Sequence, residues 1–184
     1  MLVIFEGIDR VGKDTQIKLF QKYMFNNYNK LFHQLHCSGF ANNTLSKAVL
    51  KQINLEYYNE MFQLLCNPYN FILNRSHLGE YVYGPMYREY DGSYVLELEK
   101  KLPKDCYLIL LLDSVDNVLK REDNDSFTCD RDKKQHEIDL FKEIFNKTSI
   151  KNKILIELNN RNINDIHEEI IKFVKENSDG LFFM

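Results

Sequence analysis

The chain has 184 residues, 44% of them hydrophobic and 28% charged, with a formal net charge of −3. That balance suits one soluble domain with a sizeable core and argues against bulk nucleic-acid binding. No linker-like stretch, internal repeat or low-complexity segment interrupts it, so residues 1–184 read as a single domain. The opening MLVIFEG has neither the basic region nor the long apolar stretch of a secretory signal, and no run approaches a membrane span. A cytoplasmic protein is expected, with the cysteines at 37, 66, 106 and 129, none in a C-x-x-C pair, as buried free thiols.

In chain order, Leu2–Phe5 is a short continuous apolar run ending at a glycine, as a strand covered on both faces would be. Lys13–Phe25 follows with Ile17, Leu19, Phe20 and Met24 at helical spacing, and Leu31–Cys37 is a candidate second strand. Residues 43–66 form a long helical pattern, with Leu45, Val49, Ile53, Tyr57, Met61 and Leu64/Leu65 on the apolar face. Tyr69–Leu73 is a third strand closed by Asn74-Arg75, and Ser76–Tyr90 a helix that Gly84-Pro85 must kink or end. Cys106–Leu112 (CYLILLL) is the clearest strand, followed by a short helix Ser114–Arg121 capped by Ser114. A charged stretch, residues 122–134, leads into a helix to about Lys147. Lys153–Leu158 is the fifth strand, Asn164–Lys175 the last amphipathic helix, and the GLFFM tail is expected to pack onto the body. Strands alternating with helices predict an α/β fold, a five-stranded parallel sheet with helices on both faces and ligands at the strand carboxyl ends.

Between the first strand and its helix, Gly7 to Lys13 reads G-x-x-x-x-G-K, the phosphate-loop pattern. Glycines such as Gly7 and Gly12 let the backbone wrap a phosphate. The amides of Val11, Gly12 and their neighbours at a helix N-terminus supply positive potential, and Lys13 adds a point charge. The pattern asks next for a hydroxyl to bind Mg²⁺, yet Asp14 stands there and Thr15 comes one place late. A carboxylate is a good hard-oxygen ligand for Mg²⁺. Asp14 is therefore read either as the metal ligand or as a helix cap with Thr15 on phosphate.

The run FEGIDRVGKDTQ resembles the opening of thymidylate kinases, F-E-G-x-D-x-x-G-K-[ST]-T-Q. Family-like order continues with Asn74-Arg75 where the family has Asp-Arg, the strand YLILLLD, and Arg121 opening a charged lid at about 122–134. The stretch RSHLGEYVYGPMYR resembles the thymidylate-kinase-like nucleotide kinases of phages and some bacteria more than the cellular enzymes. The resemblance implies a phosphate-loop kinase fold that uses ATP and Mg²⁺. It acts on small-molecule nucleotides, not on nucleic acid or a membrane, and forms a homodimer through the apolar helices. It also implies that Asp9 places the acceptor and that Arg10 stabilises the transferring phosphoryl group. Arg75 would grip the acceptor phosphate, Phe40 stack on the acceptor base, and Arg121 join the ATP site. His77, directly after Arg75-Ser76, falls near the expected acceptor pocket. Each reading has a plain structural alternative: a solvated loop tip for Arg10, a surface pair for Arg75, a core position for Phe40. Asp113, ending an apolar strand, reads as structural ahead of metal-binding. His33 and His36 do not form a joint site, because i and i+3 on a strand face opposite ways.

The acceptor class follows from chemistry. A nucleoside hydroxyl needs a base, whereas a monophosphate attacks through an oxygen already anionic. Asn74 cannot serve as base, and Cys37-Ser38-Gly39-Phe40 at the second strand end brings no carboxylate. The expected reaction is transfer of the ATP γ-phosphoryl group to a (deoxy)nucleoside monophosphate, with dTMP or a related deoxyuridylate first. The alternatives are a deoxynucleoside kinase and a non-catalytic nucleotide-binding protein.

Overall fold

The computed structural model describes residues 1–42, 44–121 and 128–178. Leu2–Glu6 forms β1, Lys13–Tyr28 α1, His33–His36 β2, Lys47–Leu65 α2, Phe71–Asn74 β3 and His77–Tyr87 α3. Val95–Leu98 is α4, continued by a 3₁₀ turn at Glu99–Lys101; then come Cys106–Leu112 (β4), Val115–Lys120 (α5), Arg131–Lys147 (α6), Asn152–Glu157 (β5) and Ile163–Glu176 (α7). All strand pairs are parallel, in the order β2-β3-β1-β4-β5. Every residue of β1 and β4 is buried. Successive strand residues point to opposite faces, so helices must cover both sides of the central sheet. The chain order reverses around β1, and the crevice at the carboxyl end of such a reversal is where this sheet type binds ligands.

Local chemistry sets the helix starts. Ser46, Ser114, Asp130 and Asn162 each take an extended conformation and accept a backbone N–H from the first turn of α2, α5, α6 and α7. Pro85 lies inside α3, which stops at Tyr87 instead of reaching Tyr90. The short α4 and its 3₁₀ turn carry too few residues to show a period and were not foreseen.

The buried face of α2 keeps Met61 and Leu65 of the expected one and is otherwise shifted by one residue. Leu50, Asn54, Tyr58, Met61, Phe62 and Leu65 are buried, while Val49 and Leu64 are exposed. Asn54 is what shifts the stripe. Its amide bonds the backbone of Phe40 in both directions (Phe40 N to Oδ1 2.6 Å, Nδ2 to Phe40 O 3.1 Å) and donates to Tyr90 Oη (2.6 Å). Two further expectations need correction. Cys37 and Cys106 are buried, but Cys66 and Cys129 are exposed. Of the expected lid at 122–134, residues 131–134 form the first turn of α6, and residues 122–127 lie outside the described residues, as does the GLFFM tail. No helix among the described residues is long and apolar enough to cross a membrane.

His77 is fully buried away from the cleft. Its Nδ1 meets Ser76 Oγ and its Nε2 meets Glu99 Oε1, both at 2.9 Å. The Glu99 carboxylate also accepts from Thr148 Oγ1 and from Ser149 N and Oγ (both 2.7 Å), joining α3, the 3₁₀ turn and the end of α6. Burial alone would raise the Glu99 pKa. The bonds from His77, Thr148 and Ser149 outweigh it and hold the group at about 2, against 4.5 ordinarily. A depressed carboxylate stabilises the fold above its unfolded pKa and loses that contribution as pH falls through the folded value. Glu99→Gln is therefore expected to cost about 2–3 kcal/mol at neutral pH. Its stability, measured by urea unfolding from pH 7 to 2.5, should fall less steeply below pH 5 than that of the parent chain.

Candidate functional site

A cleft of about 700 Å³ opens at the carboxyl ends of β1, β2 and β3. Residues 7–12 bridge β1 and α1. Gly7 has φ 139°, and a Cβ there would overlap the Leu111 carbonyl; Gly12 has φ 77° and opens α1 in the left-handed region with free space around it. One glycine answers to close backbone approach, the other to backbone conformation alone. Arg10 takes φ 67° at the loop tip and lines the cleft.

Lys13 curls back over the loop and donates to the carbonyls of Gly7 (2.9 Å) and Ile8 (2.7 Å). Burial lowers its pKa to about 8, although the carboxylates of Glu6 and Asp14 oppose the shift. Glu6 is fully buried behind the loop and accepts from Gly7 N (3.2 Å) and Ser76 N (2.7 Å). Burial raises its pKa, against the pull of Lys13 and Arg75.

Asp9 and Arg75 form an ion pair across the cleft, one from the loop and one from the end of β3. Arg75 has φ 66°, and its guanidinium lies 5.9 Å from the centre of the Tyr83 ring. Asn74 Nδ2 donates to Asp14 Oδ1 at 2.7 Å. Arg121 pairs with buried Asp113 (2.8 Å) and donates to the Arg10 carbonyl (3.2 Å). Asp113 also accepts from Ser114 N (2.8 Å) and Asn117 Nδ2 (2.9 Å), so its carboxylate anchors Arg121. A smaller recess of about 220 Å³ shares Arg10, Gly12, Thr15 and Arg121 with the cleft and extends to Asn160, Arg161 and Ile163 on the β5–α7 connection.

The fold thus gathers Gly7, Asp9, Arg10, Val11, Gly12, Lys13, Asp14, Thr15, Arg75 and Arg121 around one loop. Two expected residues stay out. Phe40 does not line the cleft; its ring is half exposed, 5.1 Å from that of Tyr57, because Asn54 fixes its backbone with the side chain outward. His77 serves the Glu99 network instead. Of the charged-stretch cations, Arg131 pairs with Asp116 on the surface, while Lys134 is fully buried against Glu137 (3.4 Å), near enough to Lys13 to depress its pKa. His36, set aside with His33, does line the cleft, from the last position of β2, with its ring nitrogen 3.1 Å from Ser38 Oγ.

Sequence reasoning missed the far end of the cleft, built by Tyr58, Tyr83 and Arg88 with residues 37–39 and Ala41. Arg88 bonds Glu80 and the Gly39 carbonyl (3.0 Å), and Tyr90 also donates to Glu80. An arginine following the tyrosine-rich run of α3 was the one available signal for this end.

No protein-family model matches the chain, and no curated protein sequence matches it. Solved structures do. The thymidylate kinase of Candida albicans superposes with a TM-score of 0.67 at 16% identity, covering 96% of this chain and 91% of that one. The YorR protein of Bacillus subtilis, solved in complex with phosphorylated GDP, gives 0.66 at 16% identity over 95% and 96% of the two chains. The thymidylate kinase of Ehrlichia chaffeensis gives 0.64 at 18% identity over 95% and 98%. The fold is the α/β fold of these kinase structures, with its five-stranded parallel sheet in the order 2-3-1-4-5.

Proposed function

We propose that the protein is a nucleoside monophosphate kinase, transferring the γ-phosphoryl group of ATP to a deoxynucleoside monophosphate, with dTMP or a related deoxyuridylate the first acceptor to try. The observation that carries this reading is the state of the cleft's carboxylates. Among the described lining residues only Asp9 and Asp14 are acidic, and they are engaged by Arg75 and by Asn74. Cations outnumber them, since Lys13, Arg10, Arg75, Arg88 and Arg121 line the same space. Excess positive charge suits an acceptor that is already an anion. The likeness to thymidylate kinase structures and to a nucleotide-bound protein of the same fold supports the class.

In this reading the loop amides and Lys13 hold the ATP phosphates, and the recess toward Asn160 takes the donor base beside Arg121. Arg75 leaves Asp9 for the acceptor phosphate, and Arg10 covers the charge that spreads over the transferring group. Asp14 fits the Mg²⁺ that such chemistry uses. Asn74 occupies one carboxylate oxygen and leaves the other beside the phosphates, and Mg²⁺ takes one or two carboxylates with phosphate oxygens completing its shell. The ion would neutralise charge on the β- and γ-oxygens. A homodimer is part of the proposal from resemblance alone.

The deciding assay follows thymidine and dTMP in parallel with ATP. Phosphorylation of the monophosphate alone is expected, and phosphorylation of thymidine alone overturns the reading and makes Asp9 the base to examine. Arg75→Ala should raise the acceptor KM tenfold or more, about the strength of one charge-assisted bond, with a smaller effect on the ATP KM.

Lys13→Met should lower kcat by roughly 10²-fold or more in a chain that still folds, because the ammonium contributes charge at the phosphates and not core packing. Since the lysine titrates near 8 without ligand and phosphates favour its charged form, ATP binding should take up protons at pH 8–9. Calorimetry in buffers of different ionisation enthalpy reads that uptake, which Lys13→Met should abolish.

Asp14→Ala should raise the Mg²⁺ concentration for half-maximal rate several-fold, whereas Asp14→Ser, restoring a hydroxyl, should largely preserve it. An unchanged Mg²⁺ dependence in the alanine variant leaves Asp14 as a helix-start residue only.

A further inference from the structure

One wall of the cleft has no regular structure of its own. Residues 37–41 leave β2 as irregular chain, and Cys37, Ser38, Gly39 and Ala41 line the cleft. The backbone groups of such a segment need partners from elsewhere. Side chains supply them. The Gly39 carbonyl accepts from Arg88 Nη2 (3.0 Å), and Asn54 bonds Phe40 N and O (2.6 and 3.1 Å). Both arms lead back to one carboxylate. Arg88 Nη1 donates to Glu80 Oε2; Asn54 Nδ2 donates to Tyr90 Oη (2.6 Å), which donates in turn to Glu80 Oε1. Burial, and then the bond to Glu80, push the Tyr90 pKa up to about 12, so the phenol keeps the proton that this bond uses.

Packing agrees with the bonds. A Cβ on Gly39 would overlap Glu80 Oε2 and crowd Arg88 Nη1 and Asn54 Oδ1, so the loop backbone lies directly on all three side chains. A Cβ on Gly92 would overlap the Glu80 main-chain carbonyl, so the segment after Tyr90 presses on the same residue. Glu80 itself is buried on α3 and does not line the cleft among the described residues. A buried ion pair is weak grounds for stability, since apolar residues of similar volume often serve as well. This one does what apolar residues cannot. It directs hydrogen bonds onto the backbone of an irregular wall.

Resting on the monophosphate-kinase reading, we infer that Glu80 is a positioning residue for the acceptor. Through Arg88 on Gly39, and through Tyr90 and Asn54 on Phe40, it holds the wall of residues 37–41 in place. That wall lines the cleft together with Arg75, and none of its residues lines the recess toward Asn160 that the same reading gives to the donor base. Loosening it should therefore be felt by the acceptor and not by ATP. Small displacements matter in such a site, because a misplacement of about 1 Å by a residue away from the chemistry can cost roughly 10²-fold.

Two variants that leave the cleft lining intact test it. Glu80→Gln keeps the volume but offers one acceptor oxygen in place of two, so one arm must go; Tyr90→Phe cuts the Asn54 arm at the hydroxyl and carries the test alone if Glu80→Gln does not fold. Hydrogen exchange read by mass spectrometry on the ligand-free full chain should show the peptide with the Phe40 amide exchanging about tenfold faster, the equivalent of one lost hydrogen bond, with the loop of residues 7–12 unchanged. Steady-state assays use ATP and whichever of dTMP, dUMP, dGMP, dCMP and dAMP the parent chain phosphorylates best. The acceptor KM should rise about tenfold, with kcat and the ATP KM within about twofold of the parent. Unchanged exchange in the folded variants overturns Glu80 as the residue that holds the wall. Faster exchange with an unchanged acceptor KM, or with both KM values raised alike, overturns its role toward the acceptor. In each of these cases the kinase reading stands. A parent chain that phosphorylates none of the five overturns the kinase reading and the acceptor role together.

Discussion

On the proposed reading the cleft receives polyanions, and its cations have to be kept when the polyanions are absent. That constraint shapes this site more than any single residue does. Taking an ammonium or guanidinium out of water costs several kcal/mol unless something nearby compensates. Here the compensation is internal. Lys13 rests on the carbonyls of its own loop with Glu6 behind it, Arg75 on Asp9, Arg88 on Glu80, and Arg121 on Asp113. Glu6 matters most among these acceptors, because its two oxygens also hold the first amide of the loop and the amide of Ser76. One buried carboxylate thus ties the loop of residues 7–12 to the β3–α3 corner that carries Arg75. Ligand phosphates would exchange with these internal partners, so the site is preorganised without being left unneutralised.

Asp14 and Asn74 illustrate how two local departures become one arrangement. A carboxylate where a phosphate loop has a hydroxyl, and an amide where a strand end has an acid, look like independent losses. In the fold they are hydrogen-bonded neighbours, one at the start of α1 and the other at the end of β3. The pair keeps one carboxylate and one neutral polar group at this junction, with the negative charge on the loop side. Two carboxylates there would repel.

The two ends of the cleft are built differently. At the loop, Lys13 rests on backbone carbonyls and Arg75 on Asp9. At the far end, Glu80, Arg88, Asn54, Tyr90 and the backbone of residues 39–40 are locked by mutual bonds that leave no room for a Cβ at Gly39. Rigid polar walls suit discrimination, because a mismatched partner cannot be accommodated by rotation.

The sequence by itself determined the sheet, the loop and the residues on it. Continuous apolar strands and G-x-x-x-x-G-K between a strand and a helix are local signals, fixed by which residues tolerate burial or positive φ. It also carried Asp9, Arg10, Lys13 and Arg75, since they flank those strand ends. What it did not carry was the face of α2. Two stripes one residue apart compete there, and the more apolar one, through Val49 and Leu64, lost to the stripe containing Asn54 and Tyr58. Only the tertiary structure decided this, because Asn54 is worth burying solely where the Phe40 backbone and Tyr90 arrive to bond it. The same contacts turned Phe40 outward, and Glu99, distant in sequence, drew His77 away from the cleft. Periodicity records how apolar a face is, whereas the partners that make a polar residue cheap to bury come from other segments of the chain.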